Sequence, residues 1–177
     1  MMKRCIYFQF LLFVVFVIGA SFSQPSKLIE KSKKVIYKSY DKKSFELGKI
    51  DFSSLNYEST LNETNFFKIE FADNSEYSYL FLGNAPSQTE TFDYMVIFNN
   101  DLSIRKIKVL IYRESWGGEI GSNRWLRQFV NANKGDEFIY RKNISAISGA
   151  TISVKSMTQS INNLLEEIEV LHNNQFF

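Results

Sequence analysis

The segment most able to support chemistry is a run of small and hydroxyl-bearing residues, Ser148-Gly149-Ala150-Thr151, directly before an amphipathic stretch. Small side chains leave the backbone open to a bulky group, and Thr151 offers a hydroxyl. A helix that starts here would present N–H groups without intrahelical partners, which attract a phosphate. The run therefore predicts either a site for a phosphate-bearing ligand or a tight strand-to-helix turn that binds nothing.

The hydroxyl of Thr151 is predicted to accept a covalent group rather than to catalyse a reaction. A threonine is a weak nucleophile unless a base or a metal activates it, and no histidine lies near this run. His172, the only histidine, would cap the last helix or face solvent, and Cys5 lies in a predicted leader. Haem ligation by a histidine pair, zinc sites and cysteine–histidine catalysis are therefore unsupported.

A second candidate element is the glycine loop, residues 114–121, which holds three glycines in eight residues. Gly117 and Gly118 are predicted to let a ligand approach the backbone closely, although ordinary turns would also explain them. Glu114 would bind the ligand by hydrogen bonds or hold the loop, with a plain surface charge as the alternative. Trp116, and after it Trp125, are candidates for packing on a planar ring, with a core or lid position as the alternative.

Elements around these residues are predicted from periodicity and turn signals. Alternating apolar residues and β-branched content indicate strands. Apolar residues three and four apart from Val154 to Leu171 indicate a long helix. Ser153 is its predicted N-cap, and the start of the helix there is part of the predicted anion site. We predict strands at 66–71, 77–83, 92–98, 104–111 and 136–140, a polar loop at 84–91, a hairpin turn at 99–101 and a short helix capped by Asn123. The fold class is α+β, with an antiparallel sheet and a C-terminal helix packed on it.

The segment from Ile147 to Ser153 resembles the attachment motif of the FMN-binding domain family, which includes the C subunit of the sodium-pumping NADH:quinone oxidoreductase and the G subunit of the Rnf complex. The likeness covers about Tyr77 to Leu171, because the hairpin strands, glycine loop and terminal helix stand in the family's order. It implies an FMN phosphate esterified to Thr151, with Ser148, Gly149 and Ala150 around it. It also implies a separate magnesium-dependent transferase that takes FMN from FAD.

One position departs from the family pattern. The family commonly has an acidic residue three positions before the motif serine, and this chain has Ser145 there. If the transferase reads that carboxylate, attachment would be slow or absent.

The first residues predict export. Lys3 and Arg4 precede an apolar stretch from Ile6 to Ala20, and small residues follow near Ser23. This pattern is typical of a secretory signal peptide over residues 1–23, with an uncleaved membrane anchor as the alternative, because the stretch is shorter than a spanning helix prefers.

The segment 24–75 is predicted to be short, helical and irregular, with a helix from Ser26 to Tyr40. Its lysines most simply form a solvated face, and without the leader the chain holds 19 basic and 19 acidic residues, so no nucleic-acid partner is indicated. The domain itself is predicted over residues 76–172, followed by a tail at 173–177.

These observations predict an exported flavoprotein, in the periplasm or on the outer face of the cytoplasmic membrane, that relays electrons through covalent FMN. No nucleotide-binding glycine pattern follows a strand, so a redox partner protein or membrane electron-transfer complex would have to supply the electrons. The sequence therefore favours an electron-transfer flavoprotein over a self-sufficient enzyme. The alternatives are a module that binds FMN without a covalent bond or has lost it, and a scaffold that displays its aromatic loop to another protein.

Overall fold

A computed structural model describes residues 24–55, 57–73 and 76–177. The predicted leader, residues 1–23, lies outside the described residues. Among the described residues, no helix combines the length and the apolar character that crossing a membrane requires.

A five-stranded antiparallel meander forms the centre of the structure, with the strands side by side in chain order. The pairing of the third and fourth strands is the longest and runs from Tyr79 opposite Phe98 to Pro86 opposite Thr91. The strands are β1 (Phe45–Lys49), β2 (Phe66–Phe71), β3 (Tyr77–Pro86), β4 (Thr91–Phe98) and β5 (Ile104–Ile111).

Helices cover both faces of this sheet. They are α1 (Gln24–Ser39), the short α2 (Asn123–Leu126) and the 23-residue α3 (Thr151–Asn173), with 3₁₀ turns at Gly118–Gly121 and Arg127–Phe129. Successive side chains of a strand point to opposite faces, so Val96 joins the core under α3 while Met95 and Ile97 join the core under α1. This double cover explains why β4 is buried along nearly its whole length.

The predicted α+β class is confirmed for the antiparallel sheet and its C-terminal helix. The segment before residue 76 contributes α1, β1 and β2 to the same layered structure. The predicted loop at 84–91 is too long, because β3 continues to Pro86 and leaves a turn at residues 87–90.

The predicted strand at 136–140 is wrong. Its backbone is held by side chains instead of by a neighbouring strand: Phe138 N donates to Asn162 Oδ1 at 2.9 Å, and Ile139 N donates to Asn143 Oδ1 at 2.6 Å. Only Tyr140 forms a bridge, to Ile144.

Both predicted helix caps are also wrong. Ser122 caps α2, because its Oγ accepts from Trp125 N at 3.3 Å, and Asn123 is the first helical residue. Ala150 is the N-cap of α3, so the helix begins two residues before Ser153. Ser153 lies buried in the first turn, where its Oγ is 3.1 Å from the hydroxyl of Tyr112.

Candidate functional site

A cleft of about 270 Å³ opens where the β3–β4 turn, the glycine loop and the first turn of α3 meet. We call it the α3 cleft. It brings Glu114 and Trp116 to the end of the 148–151 run, which lies more than thirty residues further along the chain. Its lining residues are Gln88, Tyr112, Glu114, Trp116, Gly149, Ala150, Thr151, Ile152 and Ser153.

Thr151 is exposed as the first residue of α3. The N-cap Ala150 makes no side-chain hydrogen bond to the first turn, and that turn holds no acidic residue. The first N–H groups of a helix have no intrahelical partners, and the aligned peptide dipoles place a positive partial charge there. The hydroxyl of Thr151 therefore stands at a point that favours an anion.

Gly149 and Ala150 are small for different reasons. Gly149 has a left-handed φ of +75°, and a Cβ added there would meet nothing within 4 Å. The space above it is open. Ala150 is buried against the glycine loop, because a Cβ at Gly117 would lie 2.6 Å from the Ala150 Cβ and 3.1 Å from the Gly149 carbonyl oxygen.

The two neighbouring glycines of the loop, Gly117 and Gly118, also differ in what surrounds them. Gly117 has a φ of +77° and packs against the 148–151 run, so it fixes the distance between the two segments. A Cβ at Gly118 would meet no atom within 4 Å, so its surroundings do not require glycine. Neither of these two glycines lines the α3 cleft.

Glu114 anchors the β3–β4 turn. Its Oε1 accepts from Ser87 Oγ at 2.8 Å, Thr89 N at 2.7 Å and Glu90 N at 3.1 Å, and its Oε2 accepts from Thr89 Oγ1 at 2.9 Å. These donors stabilise the carboxylate, the backbone N–H of Thr89 most, and lower the pKa of Glu114 to about 2. Its carboxylate thus holds one wall of the cleft.

The two candidate tryptophans occupy opposite environments. Trp116 is 82% exposed at the mouth of the α3 cleft. Trp125 is 6% exposed, packs edge-on against Phe129, and donates from Nε1 to the Ser145 carbonyl oxygen at 2.8 Å. It lines a separate groove of about 430 Å³, together with Glu119, Arg124 and Ser145. The structure therefore brings Trp116, but not Trp125, to Thr151.

The decisive comparison concerns the part of the chain that builds this cleft. Residues 89–166 match the model of the FMN-binding domain family. The match runs from the β3–β4 turn through β4, β5 and the glycine loop into α3, so the resemblance is confirmed for that part of the chain and supports flavin binding. No curated protein matches the chain.

The surroundings of the α3 cleft fit FMN in three respects. The start of α3 provides unpaired N–H groups for a phosphate, the surface above Gly149 is open, and Trp116 offers an exposed indole face. Ligand pockets usually measure about 300–1,000 Å³, so the α3 cleft would enclose part of FMN and leave the remainder accessible.

Two residues that line the α3 cleft, Tyr112 and Gln88, were not identified from the sequence. Tyr112 follows β5 directly, its ring lies tilted against that of Phe92 with centroids 5.9 Å apart, and its hydroxyl contacts Ser153. Strict alternation along β5 would place Tyr112 on the α1 face with Leu110, and only the register shift opposite Asp93 and Tyr94 brings it to the α3 face. Gln88 lies in the turn that Glu114 holds, and no local signal marks it. Ser148 was predicted to bind the cofactor, and it is exposed beside the cleft without lining it.

Proposed function

We propose that this chain carries FMN as a phosphoester on Thr151 and relays electrons between redox partners outside the cytoplasm. One observation carries the proposal: the exposed hydroxyl of Thr151 stands at the uncapped start of α3 and opens on the α3 cleft. A phosphodiester formed there keeps one negative charge, which the first-turn N–H groups would bind.

The proposed attachment balances as a phosphoryl transfer. The Thr151 Oγ1 forms a bond to the FMN phosphorus of FAD, the pyrophosphate bond breaks, and AMP leaves. Among the described residues, no histidine lies beside Thr151 to take the hydroxyl proton. Nor do these residues include a group of three or more His, Cys, Asp or Glu side chains that could hold a metal ion. We therefore assign the base and the magnesium ion to a separate FAD-dependent flavin transferase.

A covalent bond has a physical advantage for an exported protein. Free FMN that dissociated outside the cytoplasm would be lost, whereas a permanent bond makes occupancy independent of ligand concentration. FMN, once bound, would supply the electron-transfer chemistry. The chain's own residues would hold its phosphate at α3 and pack Trp116 on its ring, with Ser153 and Tyr112 behind the first turn.

A second candidate function is supported by Ser145. Its hydroxyl stands where the family commonly has a carboxylate, and its backbone is fixed by Gln128 Oε1 and Trp125 Nε1. If recognition by the transferase requires that carboxylate, the domain would bind FMN without a covalent bond or serve as a binding module.

Co-expression of the full chain with a flavin transferase separates these functions. We expect the exported protein to stay yellow after denaturation, and the Thr151→Val variant to lose the colour because no hydroxyl remains. Ser148→Ala is the matched control, since it removes the neighbouring hydroxyl and should keep the colour. Wild-type protein that is bleached by denaturation despite an active transferase contradicts covalent attachment.

A further inference from the structure

The first strand of the sheet has an open edge. β1 pairs with β2, and no described strand lies on its other side. Ala72 N donates to the Ser44 carbonyl oxygen at 3.1 Å, so residues 44, 46 and 48 direct their backbone groups toward β2. The alternation of an antiparallel pair then points the N–H and C=O groups of Phe45, Leu47 and Lys49 outward, free to receive another strand.

Two adjoining grooves run between this edge and α1. One, of about 430 Å³, is lined by Ile29, Lys33, Phe45, Glu46, Leu47, Lys49 and Phe67. The other, of about 400 Å³, shares Lys33 and Phe45 and adds Glu30, Lys34, Ser44 and the 44% exposed Tyr37. Both grooves therefore combine apolar and aromatic side chains with charged ones, three lysines (Lys33, Lys34 and Lys49, which we call the lysine rim) against two glutamates (Glu30 and Glu46).

Charge is distributed unevenly between this region and the rest of the chain. Residues 24–43 hold seven lysines and two acids, a net charge of +5, whereas residues 44–177 hold 12 basic and 17 acidic side chains, a net charge of −5. Near the grooves, Lys33 pairs with Glu30 at 3.3 Å and Lys49 pairs with Glu63 at 3.5 Å, all of them largely exposed. Exposed pairs contribute little to stability, so a partner carboxylate can replace them at small cost.

We propose that the open edge of β1 and the adjoining α1 grooves bind an extended, acidic segment of a partner protein as an added strand. The segment's backbone would bond to Phe45, Leu47 and Lys49. Side chains on its α1-facing side would alternate between apolar residues, which enter the grooves, and carboxylates, which reach Lys33 and Lys34. This inference is independent of the flavin on Thr151.

A second copy of the chain is a poorer occupant of the same edge. Two β1 strands paired edge to edge would bring the lysine rims of two identical grooves together, and like charges placed opposite one another destabilise a sheet. An acidic partner instead complements the lysine rims.

The test is binding of a labelled peptide to the full chain, followed by fluorescence polarisation. The probe is an eight-residue peptide with threonine at odd positions and glutamate and valine in turn at even positions; the reference peptide has lysine in place of glutamate. We expect the glutamate peptide to bind at least roughly tenfold more tightly at low salt and to weaken as salt screens the charges.

Two matched pairs of variants assign the binding to this edge. Leu47→Pro removes an outward N–H that β2 does not use, whereas Leu47→Ala shortens the side chain and keeps that donor. The double variant Lys33→Glu/Lys34→Glu reverses two charges of the rim, and the control Arg141→Glu/Lys142→Glu reverses two exposed charges in the loop before α3. We expect the proline and the rim variants to weaken binding roughly tenfold relative to their controls, with circular dichroism unchanged.

Equal affinity for the two peptides, or equal affinity of the Leu47→Pro and Leu47→Ala variants, would overturn the proposal. So would sedimentation that shows a dimer of the full chain which Leu47→Pro dissociates, because a second copy would then occupy the edge.

Discussion

The two sides of the 148–151 run differ in the burial of their tryptophan and in the hydrogen bonding of their polar groups. On one side, Trp125 is buried and bonded to the Ser145 carbonyl oxygen, and Gln128 holds the Ser145 N–H at 2.8 Å. On the other side, Trp116 is exposed and the first turn of α3 has no side-chain cap. The first side fixes the run in place, and the second leaves it open to a ligand. The hydrogen bonds on the Trp125 side thus hold in position the uncapped helix start on the Trp116 side.

The largest predicted effect is at Gly117, where the glycine loop packs against Ala150. Gly117→Ala should destabilise the fold by about 2–4 kcal/mol, because the new methyl group clashes at 2.6 Å and the backbone keeps a positive φ. Chemical denaturation measures the change. Gly118→Ala is the matched control and should change stability by less than about 0.5 kcal/mol, because its Cβ meets nothing. Equal losses at both positions would contradict the packing role of Gly117.

The next effect separates the two tryptophans. Trp125→Phe keeps a ring but loses the hydrogen bond to Ser145, so it should cost about 1–2 kcal/mol in the free energy of unfolding. Trp116→Phe should cost less than about 0.5 kcal/mol, since the indole is largely exposed. Thermal denaturation of the two variants side by side provides the measurement. A larger loss of stability for Trp116→Phe than for Trp125→Phe would contradict the assignment of Trp125 to the side that fixes the run and of Trp116 to the open side.

A smaller effect concerns the spectrum of the bound cofactor. With FMN bound, Trp116→Ala should increase flavin fluorescence, because an indole packed on the ring would no longer quench it. Steady-state fluorescence at equal flavin content measures this change. The control is Tyr37→Ala, which removes an exposed aromatic ring from α1, outside the α3 cleft. Unchanged fluorescence in Trp116→Ala would remove Trp116 from the proposed site.

The smallest effect depends on pH and tests the wall that Glu114 holds. The folded-state pKa of Glu114 is about 2, below its ordinary value of 4.5, so its stabilisation is complete above pH 4.5 and is lost as the pH falls toward 2. Glu114→Gln should therefore lower the melting temperature at pH 7, and the difference from wild type should shrink between pH 5 and 2. A difference that does not vary over this range would show that the carboxylate charge does not hold the turn.

The sequence predicted β4, β5 and α3 well because their signals are strong and local. β4 is an unbroken apolar and aromatic run, and α3 repeats its apolar residues over 23 positions. β1 was missed because it is a short edge strand with Glu46 and Gly48 in its middle, which resembles a loop. The segment 136–140 looked like a strand, but the side chains of the nearby Asn143 and the distant Asn162 hold its backbone.

The candidate site could be predicted where it depends on neighbouring residues and not where it depends on packing. Gly149 and Thr151 stand out within four residues of sequence, and Trp116 stands out within its loop. The contact of Gly117 with Ala150, the approach of Tyr112 to Ser153 and the attachment of the β3–β4 turn to Glu114 join segments far apart in the chain. A single sequence gives no sign of such pairs.

The mass of the peptide that contains Thr151, in protein exported by a host with an active flavin transferase, tests the central claim most directly. The account predicts a peptide heavier by one FMN less one water, with fragment ions that place the addition on Thr151, and a Thr151→Ser variant that still accepts it. An unmodified Thr151 in protein whose transferase demonstrably modifies another substrate in the same cells would contradict the account.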